Sequence, residues 1–161
     1  MTAFRTLAAT ALAALLAVSF GSVPLQAQDR ETPYWASLRY DEVRMRVGPS
    51  NEYKIDWVYR RKGMPVKVIR LREGWRLVQD PEGGQGWIAS SQLTLNRGVL
   101  VTGEGLVDLR ASPGSNTALR WRAEPGVVAK LIECGEGWCQ IDVTGRTGWV
   151  PEDRIWGEGE P

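Results

Sequence analysis

Two cysteines, a scatter of turn carboxylates and eight tryptophans are the residues with chemistry to offer, and histidine is absent. Without histidine, a serine or cysteine nucleophile lacks its usual base and a metal lacks its commonest ligand. Asp56, Glu73, Asp80, Glu82, Glu136 and Asp142 would have to supply any acid–base pair, as in glycoside hydrolysis. They sit mostly in turns, where a carboxylate is ordinarily a solvated side chain. No glycine pattern for phosphate or dinucleotide cradling occurs. These absences argue against an enzyme and against a bound cofactor or metal.

Cys134 and Cys139 flank Gly135-Glu136-Gly137-Trp138. Two strands joined by a tight turn bring such positions opposite each other at disulfide distance. A disulfide is therefore expected, worth about 2 kcal/mol for so short a loop in the chain-entropy model. Zinc is disfavoured, because two cysteines without histidine or a second pair make an incomplete site.

The tryptophans carry the stronger signal, because six of them recur in register: Trp57 with Trp121, Trp75 with Trp138, and Trp87 with Trp149. Val43-Arg44-Met45-Arg46 returns as Val107-Asp108-Leu109-Arg110, Pro49 as Pro113, and Leu93 as Ile155. Trp35-Ala36-Ser37 aligns with Val99-Leu100-Val101. The offset is 64 at Arg46, 63 at Trp75 and 62 at Trp87, so two one-residue deletions in turns account for the drift. The chain holds two copies of one unit, each of about 60 residues, so each core is small.

No helical stripe of useful length follows Tyr34. Short runs rich in Val, Ile, Leu and Trp alternate with Gly, Pro, Asn and Asp instead. Strands are expected near 35–39, 43–47, 65–71, 75–80, 86–89 and 92–95, and again near 98–102, 106–110, 127–133, 138–143 and 148–151. The fold class is all-β. Strands this short hide their edges best by curling into a small barrel. The expected cores are Val43, Met45, Val66, Val68, Val78 and Ile88, then Val107, Leu109, Ala129, Leu131, Ile141 and Val150. Residues 94–98 offer no flexible linker, so the units are expected to sit close together.

Arg5, the apolar run from Leu7 to Phe20, Pro24 and the small residue Ala27 read as a signal peptide over 1–27. A polar leader follows at 28–33, then units at 34–95 and 96–157 and a polar tail at 158–161. Periplasmic or secreted localisation follows, with no membrane attachment after cleavage. Residues 28–95 carry net charge +3 and 96–161 net charge −3. Neither half is basic enough to imply a nucleic-acid partner. A monomer is expected.

The motifs Val-Arg-Met-Arg-Val-Gly-Pro-Ser (43–50), Gly-Met-Pro-Val-Lys-Val-Ile (63–69), Gly-Trp (74–75) and Gly-Trp-Ile (86–88) resemble the bacterial SH3-like domain. The second copy resembles it through Leu-Arg-Ala-Ser-Pro-Gly (109–114), Glu-Gly-Trp-Cys (136–139) and Gly-Trp-Val-Pro (148–151). The tandem looks most like an exported proteobacterial subfamily, over residues 34–157. The resemblance implies two consecutive small SH3-like barrels that bind rather than catalyse. In that fold the long first loop and the turn before Trp75 flank one groove. Tyr53, Trp57, Tyr59 and Trp75 are thus the expected aromatic ligand-binding face, with Arg60 and Arg61 beside it. The expected partner is a peptidoglycan peptide. The alternative is a periplasmic protein, bound through an extended or Pro-rich segment.

Overall fold

The computed structural model describes residues 30–161, and the signal segment expected at 1–27 lies outside the described residues. The first sheet contains β1 (Tyr34–Leu38), β2 (Val43–Arg46), β3 (Ile55–Tyr59), β4 (Pro65–Arg72), β5 (Trp75–Gln79), β6 (Gln85–Ala89) and β7 (Leu93–Thr94). Its strand order is β3-β2-β6-β5-β4-β1-β7, with all pairings antiparallel. The second contains β8 (Gly98–Val101), β9 (Val107–Arg110), β10 (Leu119–Ala123), β11 (Val128–Gly135), β12 (Trp138–Val143), β13 (Arg146–Pro151) and β14 (Ile155–Trp156). Its order, β10-β9-β13-β12-β11-β8-β14, repeats the first strand for strand.

Each sheet closes over its own apolar cluster. Val43, Val66, Val68, Val78 and Ile88 are wholly buried in one, and Ile141 and Val150 in the other. Strand alternation sends these side chains inward from successive ladders. Leu131 departs from the expected core. It is half-buried and packs against the cluster from its margin, beside a ladder irregularity between Leu131 and Glu133. The leading strands also align one residue differently from the sequence comparison. Ala36 and Leu38 are the buried counterparts of Val99 and Val101, because burial, not residue type, sets the register.

Two strands lie where loops were expected. Residues 51–59 contain β3, and β10 is its repeat. Both are edge strands paired on one side only. With one face and one edge in water they need little apolar character, so Asp56, Trp57, Arg120 and Trp121 hide the period that marks a strand.

Cys134 and Cys139 are direct cross-strand partners of β11 and β12 and form a disulfide, with Cα atoms 4.0 Å apart. Glu136 and Gly137 make the connecting turn, both with positive φ (55° and 78°), as a two-residue hairpin turn matched to strand twist requires. The donor atoms of Cys134, Cys139 and Glu152 lie within 4.8 Å of one another. Both sulfurs are consumed by the bond, so this grouping is not a metal site. A saturating reductant is expected to lower the unfolding free energy by about 2 kcal/mol. Urea melts with and without reductant measure this, with the far-UV spectrum unchanged at zero denaturant.

The two sheets touch. The Gly98 amide donates to Ser37 Oγ at 2.9 Å, and Ser37 is buried. Trp35 meets Trp156 edge to face with ring centroids 4.6 Å apart, and Lys67 lies over the Trp35 ring. Arg61 donates to the carbonyl of Gly126. The aromatic contact between units is thus made by Trp35 and Trp156, neither of which belongs to the six recurring tryptophans.

Candidate functional site

The repeated arginine organises each unit's first loop. Arg46 donates to the carbonyl of Tyr53 at 2.6 Å, and Arg110 to that of Thr117 at 2.7 Å. This bond fixes the chain just before β3 and β10 enter their sheets. From there β3 carries Trp57 and Tyr59 on one side of the strand. Tyr59 is 5% exposed and belongs to the core, whereas Trp57, nearer the loop, is 59% exposed.

The Tyr59 hydroxyl donates to Asp80 Oδ2 at 2.9 Å and lies 3.4 Å from Met45 Sδ. Asp80 Oδ1 in turn accepts the amides of Glu82 (3.0 Å) and Gly84 (2.7 Å). One carboxylate therefore joins β3 to the connection between β5 and β6 and holds that connection folded. Burial, then the Asp80 hydrogen bond and the nearby charges of Asp80, Glu82 and Asp56, push the Tyr59 phenol well above its usual range. It stays protonated and donates throughout the physiological range. The second unit closes the same hairpin with only Thr144-Gly145 between its strands. The longer connection at 80–84 forms a rim that the second unit lacks.

Between β3 and this rim lies an open cavity of about 600 Å³. Trp57, Tyr59, Met64 and Pro81 give it apolar walls, and Asp56 and Glu82 give it carboxylates. Arg60 and Arg61 add guanidinium groups, and Leu100 and Gly126 of the second unit complete the lining. Arg60 is exposed and pairs with Glu42 at 3.1 Å. Arg61 spends one donor on the seam between the units.

Of the residues expected on one aromatic face, Trp57, Tyr59, Arg60 and Arg61 line this cavity, while Tyr53 and Trp75 do not. Tyr59 contributes from within the core rather than as a free ring. Tyr53 is turned against Gly48, whose backbone leaves no room for a Cβ beneath the ring. Trp75 opens β5, whereas the rim follows its last residue, so the two ends are about 13 Å apart at strand rise. The turn before Trp75 therefore cannot flank the cavity, and the 80–84 connection flanks it instead. Asp80, Pro81 and Glu82 are the lining residues that sequence reasoning left as solvated turn. The fall in repeat offset from 63 to 62 across this segment marked the extra residue.

Trp121 repeats Trp57 but lies under the Arg146 guanidinium, 5.1 Å from its ring centroid. The two copies have diverged: among the described residues, no cation lies over Trp57, which stands beside the rim.

A family model described as bacterial SH3 domain matches the chain twice, at residues 39–94 and 103–157. The chain belongs to the bacterial SH3 domain family. Its described residues are all-β, with two consecutive SH3-like domains, and SH3 domains of this bacterial type are cell-wall binding modules. The chain is 25% identical over 130 residues to the candidate N-acetylmuramoyl-L-alanine amidase YrvJ of Bacillus subtilis (strain 168). The match takes in 74% of this chain and 25% of that relative, so the tandem corresponds to a quarter of the longer protein. Among solved structures, NlpC1 from Trichomonas vaginalis aligns with TM-score 0.36 and 12% identity, over 82% of this chain and 48% of that one. An NlpC/P60 family protein from Bacillus cereus ATCC 10987 aligns with TM-score 0.32 and 13% identity, over 76% and 55%. Among the described residues, no helix of the tandem is long and apolar enough to cross a membrane.

Proposed function

We propose that the tandem is a non-catalytic module, exported to the periplasm or beyond as a monomer, that holds a cell-wall peptide in the cavity beside Trp57. Its working units are 34–95 and 96–157, released by cleavage of a signal peptide at 1–27. The observation that supports this most is the 59% exposed Trp57 ring, held at the edge of a concavity with both carboxylate and guanidinium walls. A large ring left in water over a concave surface is a ready stacking platform for a peptide backbone. Asp56 and Glu82 suit a free ammonium group, and Arg60 suits a carboxylate. A stem peptide that carries both kinds of group satisfies all three.

Trp57→Ala is expected to weaken co-sedimentation with purified sacculi by about tenfold or more, the range for losing an aromatic anchor. Full sedimentation of that variant would exclude the site. A second reading is supported by β3, an edge strand bordering the same cavity. Its unpaired side could take an extended segment of another periplasmic protein as an added strand. No sedimentation of the wild-type chain, together with specific capture of an extended protein segment, favours that reading over the first.

A further inference from the structure

A second cavity, of about 410 Å³, lies on the seam beside Gly63 and Gly98. It shares no lining residue with the cavity at Trp57. Its charge is lopsided: Arg39, Lys62, Arg97 and Lys130 face a single carboxylate, Asp142. Both units contribute, since Lys62 precedes β4 of the first and Lys130 lies on β11 of the second.

Among the described residues, two of these cations, Lys62 and Lys130, have no paired carboxylate, whereas Glu158 acts on Arg97. Arg39 Nε donates to the carbonyl of Leu93 at 3.0 Å, and Arg97 donates to those of Gly157 at 2.7 Å and Gly159 at 3.3 Å. These acceptors are neutral. Asp142 spends an oxygen on the Gly145 amide at 2.6 Å. Among the described residues, the ammonium groups of Lys62 and Lys130 have no hydrogen bond or ion pair. The buried Nε of Arg97 likewise meets no acceptor. Like charges gathered around one concavity repel, although water screens part of that repulsion because Arg39, Lys62 and Lys130 are exposed. A bound anion removes that repulsion.

The chemistry selects the anion. Four cations still exceed two carboxylates, Asp142 and the Glu158 that acts on Arg97, and lysine ammonium with arginine fork is the ordinary equipment for phosphate oxygens. The volume falls at the small end for ligand pockets. We propose that this inter-unit cleft binds a phosphate group, presented by a soluble phosphorylated molecule or by a phospholipid head.

Titration of the purified protein with inorganic phosphate at low ionic strength, followed by amide chemical shifts, tests this. Saturable shifts are expected at Lys62, Gly98 and Lys130. Lys62→Ala/Lys130→Ala, a change at two exposed side chains, is expected to weaken binding by about tenfold or more. Sedimentation with phosphatidylglycerol vesicles, against phosphatidylcholine vesicles, identifies the source. Selective sedimentation lost in the double variant supports a lipid head, and phosphate binding without sedimentation supports a soluble ligand. Absence of saturable shifts at the cleft, or binding equally strong in the double variant, overturns the proposal.

Discussion

Gly98→Ala is expected to loosen the two units from each other and to lower the melting temperature. A Cβ built at Gly98 meets the carbonyl oxygen of Gly63 at 2.0 Å and Ser37 Oγ at 2.8 Å. The first contact is with backbone, so no side-chain rotation relieves it. Gly98 does not occupy the left-handed region, so alanine meets no local strain of its own. The whole penalty arises where the units touch. Overpacking of this kind costs about 1 to 3 kcal/mol. Displacing the Gly98 amide from Ser37 Oγ adds about 1 to 3 kcal/mol by stranding a buried hydroxyl. Small-angle scattering should show a larger radius of gyration than wild type, and the melt should broaden or split. Wild-type values of both would mean that the seam contributes nothing.

Alkali is expected to destabilise the first unit through one phenol. An unfolded tyrosine titrates near about 10. In the folded unit, Tyr59 is held higher by burial, by its bond to Asp80 and by the charges of Asp80, Glu82 and Asp56. The protonated ring therefore stabilises the fold fully below about pH 10, and that stabilisation is lost as pH climbs towards the folded value. The slope is at most about 1.4 kcal/mol per pH unit. Urea melts at pH 8 and pH 11 should differ in wild type by more than in Tyr59→Phe, which carries no titrating group there. Equal differences in the two proteins would show that the phenol is not the source. At neutral pH, Asp80→Ala is the harsher change. It removes the acceptor of Tyr59 and of two amides at once, so about 3 kcal/mol is expected from lost charged hydrogen bonds. The rim at 80–84 should lose order with it, and binding at Trp57 should fall as well.

The repeat was legible in sequence because tryptophans and glycines recur at nearly constant spacing, and some of those glycines have no room for a side chain. Gly148 illustrates the constraint: a Cβ there meets Leu109 Cβ at 2.6 Å. The disulfide was legible for a similarly local reason, since a two-residue turn makes its flanks cross-strand neighbours. The buried ladders were legible because alternation is a property of adjacent residues. The edge strands β3 and β10 were not, because an edge needs no apolar face and their residues resemble loop.

The candidate site was half legible. Trp57, Arg60 and Arg61 stand close together in the chain, and one strand carries them to one place. Tyr53 and Trp75 are aromatic for reasons of their own, one against Gly48 and the other at the far end of a strand. Exposure separates Trp57 from Tyr59, although they are two residues apart on the same strand face. Sequence cannot report that difference, because it depends on where the core ends.

By itself, the sequence determined two all-β units, their order, the central part of each core apart from Leu131, and the cysteine pair. Each of these rests on spacing within a few residues or on a repeat. Leu38, Tyr59, Val99 and Val101 joined the cores only in the structure. Only the tertiary structure decided which aromatic rings share a cavity, that Trp35 and Trp156 meet across the seam, and that four cations converge where the units join. The seam contacts and the approach of the 80–84 rim to β3 are made by residues about 20 to 120 positions apart. The closed ladders bring them together, and no local pattern encodes the approach.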